Sequence, residues 1–299
     1  MTESSLVFTR LAPMWTAARP RHWVKNVFVL APAVFARRLD DPDAMARVLS
    51  AFIVFSALSS AVYLINDISD RESDRLHPRK RLRPIASGEL GVRAAAILAL
   101  LLATGALFGA IALGAPFAAV ACGYLLQNLA YSLALKRVVI LDVMLVAGGF
   151  LLRAWGGSVV IGVEMSHWLV LCTGLLALFL GFVKRRQEIA VFQGATEPRP
   201  ILKEYSMPFL DQMIGVVTAS TVLAYALYAF SPEVAGKLGT RHMGFTIPFV
   251  LFGVFRYLYL VHQRGEGENP TVLVLQDPPL LINVLLWGVV ILVVLYRWP

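Results

Sequence analysis

The sequence predicts an all-α polytopic membrane protein, nine transmembrane helices bundled around a cavity open to the cytoplasmic side. Three observations predict it. Of 299 residues, 58% are hydrophobic and 15% charged, and the mean hydropathy is +0.69, which would leave a water-facing surface far too apolar. The apolar residues fall in runs of membrane length, parted by charged or Pro/Gly-rich breaks. The basic residues collect on alternate connections.

In chain order, residues 1–21 lack an uninterrupted apolar core ending in a small-residue cleavage site. They read as a segment lying along the cytoplasmic interface and not as a cleaved leader. The first span, near 22–36, is short and holds Lys25 and Asn26 at its mouth. The second, near 47–66, ends in Asn66-Asp67-Ile68-Ser69-Asp70-Arg71-Glu72-Ser73-Asp74, followed by a strongly basic loop. Spans near 93–113 and 116–135 follow, the latter closing on the stretch Tyr131 to Arg137 with Lys136 inside it. The span near 138–161 contains Asp142 and Arg153. The span near 166–184 closes on Lys184-Arg185-Arg186-Gln187-Glu188. The last three lie near 212–230, 243–262 and 276–297, and the whole of 1–299 reads as one transmembrane domain. A faint repeat is visible, because a polar motif ends every second helix.

With the N-terminus inside, 19 of the 27 basic residues fall on the cytoplasmic side. Six fall opposite (Arg37, Arg38, Arg47, Lys237, Arg241 and Arg297), and Arg153 and Arg256 lie within spans. This bias sets the orientation and favours anionic lipid headgroups near the membrane. The net charge of +8 is therefore no sign of nucleic acid. Cys122 and Cys172 lie in apolar spans and read as packing residues. The five histidines are scattered singly, so a His-based metal site or catalytic dyad is not expected.

Asp67, Asp70 and Asp74 are spaced by three and then four residues, which stacks them on one helical face. Carboxylates so close repel, and a hard divalent cation, Mg2+ above all, relieves them. The competing reading is that they pair with neighbouring cations, Arg71, Arg75, Arg79, Lys80, Arg81 and Arg83. Position favours metal and phosphate chemistry: the cluster abuts a membrane-length helix, and His77-Pro78 ends the helix and turns the basic run back over it. Asp142 and Arg153 are eleven residues apart, on one face and about 16 Å apart along the axis. Ionisable groups within a span cost about 2.5 to 3.5 kcal/mol on insertion scales and point to a polar cavity or a partner; for Arg153 the competing structural reading is a pairing with an acid on another helix. Gly148, Gly149, Gly156 and Gly157 allow close helix packing. Arg256, beside Tyr257 and Tyr259, reads as an interfacial anchor.

Several of these runs together resemble the UbiA superfamily of intramembrane prenyltransferases: Asn66-Asp67-x-x-Asp70-x-x-x-Asp74, the Tyr131 to Lys136 stretch and the nine-span layout. Within it, Arg19-Pro-x-x-Trp23-Val-Lys25-Asn26, His77-Pro-x-Lys80-Arg81-x-Arg83-Pro-Ile, Leu152-Arg153-Ala and Lys184-Arg185-x-x-Glu188 are most similar to its phosphoribosyl-transferring branch. The resemblance covers nearly the whole chain. It implies a phosphoribosyl diphosphate donor, a polyprenyl phosphate acceptor in the bilayer, Mg2+, a bacterial plasma-membrane location, and a product leading toward arabinan of the cell wall. By resemblance Asn66, Asp70 and Asp74 hold Mg2+, with Asp67 ligating or orienting. Asp70, Asp74, Asp67, Lys184 and Arg153 then stand as catalytic candidates. Lys25, Asn26, Lys80, Arg81, Arg83, Tyr131, Lys136, Asp142, Arg185 and Glu188 stand as substrate-binding candidates. The superfamily's second acidic motif is reduced here to Asp142. The resemblance also permits a homotrimer.

Charge balance independently favours two phosphate-bearing substrates, because the basic candidates outnumber the acids. Two rivals stand beside this reading. One is transfer of a prenyl group from a prenyl diphosphate to an aromatic or lipid acceptor. The other is transport of a phosphorylated lipid, for which polar residues should line a path through the membrane; here they gather at one face.

Overall fold

In a computed structural model the described residues are 12–77, 80–191, 200–267 and 270–298. Residues 1–11 of the expected interfacial segment, Pro78, Arg79 and Arg199 lie outside them. Every regular element among the described residues is helical, and the chain is a multi-pass membrane protein. The main helices are α1 (Pro42–Ser69), α2 (Arg71–Leu76), α3 (Val92–Leu113), α4 (Ala115–Leu133), α5 (Leu141–Val160), α6 (His167–Val191), α7 (Met207–Phe230), α8 (Ile247–Gln263) and α9 (Pro278–Tyr296). Seven helices among the described residues are long and apolar enough to cross a membrane: α1, α3, α5, α6, α7, α8 with the 3-10 turn before it, and α9.

Two of the nine expected spans fall short of that measure. The stretch near 22–36 is a 3-10 helix, Pro20–Val29, followed by the five-residue Ala31–Phe35. Pro32 has no N–H to return to Phe28, so a continuous α-helix cannot cross Leu30. The stretch near 116–135 folds as α4, where Gln127 and Asn128 reduce the apolar character.

Helix starts follow their sequences. Asp41 caps α1 by accepting the N–H groups of Asp43 and Ala44, both at 3.1 Å, with Pro42 next. Ser206 caps α7 through Phe209 N at 3.2 Å, and Asp277 caps α9 through Leu280 N at 2.9 Å. Asp277 also receives two hydrogen bonds from Arg256, 3.1 and 2.8 Å. Arg256, read from the sequence as an interfacial anchor, thus also ties α8 to the start of α9.

Because lipid is as apolar as leucine, packing and close approach hold the helices together. The α3 helix shows this directly: Ala95, Ala99, Ala106 and Ala110 are buried while Leu100, Leu101, Phe108 and Ile111 are exposed. Small residues thus face α1 and large ones face outward. Cys122 is likewise exposed and does not pack. One core joins α5, α6, α7 and α8 through Val143, Phe179, Val183, Leu210, Ile214 and Leu260. A second joins the N-terminal 3-10 helix, α1 and α4 through Val29, Phe55, Leu58, Phe117 and Tyr124.

At Gly157 a Cβ would lie 2.0 Å from the carbonyl oxygen of Val29, and at Gly156 one would lie 2.6 Å from the Phe55 ring. The missing side chains let the N-terminal 3-10 helix sit directly on α5, which is what brings Lys25 and Asn26 to Arg153. Gly157→Ala is expected to push that helix away and destabilise the protein by about 2 kcal/mol, whereas Gly215→Ala, with open space around it, is expected to be nearly silent. Thermal unfolding of both variants in the same detergent checks this.

Candidate active site

The ends of α1, α4 and α6 and the start of α5 meet at one end of the bundle, and there a cavity of about 1030 Å³ opens. Its lining gathers most of the residues singled out from the sequence: Lys25, Asn66, Asp67 and Asp70; Lys80, Arg83, Tyr131 and Lys136; Arg153, Lys184, Arg185 and Glu188. Four others are set back from it. Asn26 and Asp142 are buried beneath the lining, Asp74 is buried behind Arg83, and Arg81 is exposed.

The floor is built around Arg153, 6% exposed. Its Nε donates to Asn26 Oδ1 at 2.6 Å, one terminal nitrogen to Gly149 O at 2.8 Å and the other to the Tyr124 hydroxyl at 2.7 Å. The guanidinium also sits over the rings of Tyr124 and Phe150, 4.7 and 5.4 Å from their centroids. Asn26 is oriented in turn by Ser56 and Ser59 of α1, at 3.0 and 3.3 Å. Every one of these partners is neutral. The alternative of an acid on another helix is not met among Arg153's described partners; Arg153 lines the cavity instead, and Lys25, lining the same cavity, forms no ion pair among the described residues. A buried positive charge without a counter-ion is costly, and Arg153, with the half-buried Lys25 beside it, is an arrangement that an anion would relieve.

The mouth is different. The single-helix face expected of Asp67, Asp70 and Asp74 is interrupted: α1 ends at Ser69, Asp70 sits at the junction with φ −91° and ψ 5°, and α2 begins at Arg71. The chain leaves α2 in an extended conformation at His77, as a residue before proline must. It then folds back, so that one nitrogen of Arg83 touches both Asp67 (3.1 Å) and Asp74 (2.6 Å). Asp67 also pairs with Arg19, which holds the left-handed conformation, φ 54°. Asp70 pairs with Lys136 at 2.9 Å. The acids are therefore matched with cations, as the competing reading held, but the partners come chiefly from other segments and the pairs are part-buried.

On the opposite wall, Arg185 donates to Asp142 at 2.5 Å, to Glu188 at 2.5 Å and to the Tyr131 hydroxyl at 3.2 Å. Asp142, 0% exposed, acts beneath the surface by aiming Arg185. Its other oxygen accepts from Tyr205 at 2.6 Å. Burial, and then that hydrogen bond, push the Tyr205 hydroxyl above the usual phenol range.

As a metal site, the mouth offers carboxylate and amide oxygens from Asn66, Asp67 and Asp70, donors of the type Mg2+ takes. No three His, Cys, Asp or Glu side chains among the described residues converge as a ready cage. The donor set fits an ion that completes its shell with substrate oxygens, and such an ion would displace Lys136 from Asp70. Sequence reasoning missed Arg19, Tyr124 and Tyr205. Arg19 lay in a noted motif, but nothing local pointed it at Asp67. Tyr124 and Tyr205 sit in unremarkable runs and join the candidate site only through contacts with distant segments.

The model of the UbiA prenyltransferase family matches residues 26–276. The chain is similar to the decaprenyl-phosphate phosphoribosyltransferase of Corynebacterium glutamicum, 34% identical over 296 residues, covering 96% of this chain and 87% of the relative. It is 36% identical over 277 residues to the decaprenyl-phosphate phosphoribosyltransferase of Mycobacterium tuberculosis, covering 91% and 90%. Its fold is similar to that of a UbiA homolog from Archaeoglobus fulgidus bound to GPP and Mg2+, with a TM-score of 0.72 and 18% identity, covering 94% of this chain and 99% of that one.

Arg83→Met should leave the buried Asp67 and Asp74 without their shared cation, with only Asp67 still paired, to Arg19. The expected loss is about 2 kcal/mol or more, recovered in part by adding Asp74→Asn; thermal unfolding of the single and double variants measures both. A loss under about 0.5 kcal/mol would mean the acidic patch does not depend on Arg83.

Proposed function

The chain belongs to the UbiA prenyltransferase family, and we propose that it transfers the 5-phosphoribosyl group of 5-phosphoribosyl 1-diphosphate to a decaprenyl-type polyprenyl phosphate, releasing pyrophosphate. The observation that carries this is the contrast within one cavity. Lys25 and Arg153 form a cationic floor without acids among the described residues, whereas the mouth interleaves acids and cations. A floor of that kind suits a phosphate that arrives without metal; a mouth of this kind suits a diphosphate that arrives with one. Two substrates that both carry phosphate account for both halves. The phosphoribosyltransferase relatives named above match over about nine-tenths of the chain, in keeping with this.

On this reading the chain is a single domain in a bacterial plasma membrane. The 3-10 segment Pro20–Val29 with Ala31–Phe35, and α4, are its eighth and ninth crossings, and the cavity faces the cytoplasm. Asn66, Asp67 and Asp70 would hold Mg2+, with Asp74 set behind Arg83 as support. When bound, the ion draws charge onto the departing pyrophosphate.

The protein's own part is to place and to offset charge. Lys25 and Arg153 fix the lipid phosphate, whose oxygen is already a nucleophile at neutral pH, so no base is required. Lys80, Arg83, Lys136 and Lys184 receive the diphosphate and the 5-phosphate. Arg185, aimed by Asp142 and Glu188, braces the opposite wall. The two substrates meet at ribose C1 in line, which gives an inverting, oxocarbenium-like displacement; retained anomeric configuration would contradict it. Prenyl transfer on the same scaffold is the second reading, but a prenyl diphosphate and a neutral acceptor leave the acid-free floor without an anion.

The test is purified protein in detergent with Mg2+, labelled phosphoribosyl diphosphate and polyprenyl phosphates of several lengths, following label into the organic phase. Transfer should require Mg2+ and fall at least a hundredfold in Asp70→Ala. Arg153→Gln and Lys25→Gln should raise KM for the lipid about tenfold or more, with donor KM changed less than about threefold. No transfer at any chain length, with label moving instead from a prenyl diphosphate, would favour the second reading.

A further inference from the structure

Outside the cavity lining, one hydroxyl joins three parts on which the mouth depends. Tyr205, 5% exposed, lies between the 3-10 turn Pro200–Glu204 and α7. Its oxygen donates to Asp142 Oδ1 at 2.6 Å and accepts the N–H of Ile140 at 2.7 Å. The second oxygen of Asp142 holds Arg185 at 2.5 Å. Ile140 has φ 68° and ψ −46°, the centre of a γ-turn closed by the Leu141 N–H on Val139 O at 2.8 Å, a strained positive-φ conformation that a β-branched residue adopts only when its surroundings enforce it. It is also where α5 begins, its carbonyl accepting from Val143 and Met144 at 3.0 and 2.9 Å. The loop it ends carries Lys136, the partner of Asp70.

We propose that Tyr205 is a positioning residue, a clasp that holds Ile140 in its positive-φ conformation and so keeps Lys136 and Arg185 aimed at a diphosphate in the cavity mouth. The side chain touches no substrate. Without its hydroxyl, Ile140 relaxes toward negative φ, the loop carrying Lys136 shifts, and Asp142 loses the hydrogen bond that steadies its Oδ1 while its Oδ2 holds Arg185. Tyr is required over Phe because one oxygen must donate to a carboxylate and accept from an amide at once. The proposal rests on the mouth being a diphosphate site, which the phosphoribosyl and prenyl readings share.

The strain supplies the test. At position 140 glycine adopts positive φ freely, so Ile140→Gly should hold the loop without the clasp, and the Ile140 side chain is 41% exposed, so its removal costs little packing. Binding of pyrophosphate with Mg2+ is measured by calorimetry on the full chain in detergent, for wild type, Tyr205→Phe, Ile140→Gly and the double variant. Amide exchange over 134–141 is followed in the same four proteins. Tyr205→Phe is expected to weaken pyrophosphate binding about tenfold and to speed exchange at Ile140. In the Ile140→Gly background the same change should cost less than about threefold. Binding within twofold of wild type, or an equal loss in both backgrounds, would overturn the proposal, and so would a Tyr205→Phe protein that fails to fold in both. If wild type binds pyrophosphate but transfers no phosphoribosyl group, the substrate reading fails alone and the clasp is still decided by these measurements.

Discussion

The arrangement depends on one unbalanced charge. Arg153 is carried into the bundle on α5, where an ionised side chain is expensive, and its described contacts are an amide oxygen, a carbonyl, a phenol and two aromatic faces. Those contacts satisfy its donors and leave its charge. To make them, Asn26 must approach α5 closely, which Gly157 permits, and Tyr124 of α4 must reach across. The packing of four segments is thereby tied to holding a cation whose charge is unmatched among the described residues.

The mouth solves the opposite problem. Asp67, Asp70 and Asp74 would repel one another without Arg19, Arg83 and Lys136, and those cations would be stranded without the acids. Each half stabilises the other while the cavity is free of substrate. On the proposed reading, a metal-bound diphosphate would offer negative charge to the cations and positive charge to the acids. The ion pairs can then be exchanged for substrate contacts with little change in net charge, which lowers the cost of desolvation. Preorganisation of this kind needs a rigid frame, and the buried Asp142–Arg185–Glu188 network supplies one wall of it.

Most of the spans and the polar clusters were legible because apolar run length and charge placement are local properties. The position of the site was legible for the same reason: Asn66 to Asp74, Lys136, Arg153 and Lys184 to Glu188 are visible where lipid-compatible sequence stops. Two kinds of feature were not. Backbone breaks depend on single residues, so the Pro32 interruption and the Asp70 junction turned an expected helix and an expected carboxylate face into something else. Long-range partners depend on tertiary contact: Arg19 with Asp67, Tyr124 with Arg153, and Tyr205 with Asp142 join residues whose separation carries no period. The acid-free character of the floor is likewise a statement about neighbours, and a sequence shows only neighbours along the chain.

The most direct measurement is an electron cryomicroscopy structure of the chain in lipid nanodiscs with Mg2+, a non-transferable phosphoribosyl diphosphate analogue and a polyprenyl phosphate. The expected result is a lipid phosphate within hydrogen-bond distance of Arg153 and Lys25, and a metal-bound diphosphate at Asn66, Asp67 and Asp70 with Lys136 drawn off Asp70. A diphosphate seated on Arg153, or a lipid phosphate among the acids of the mouth, would contradict the division of the cavity into an acid-free floor and a metal-bearing mouth.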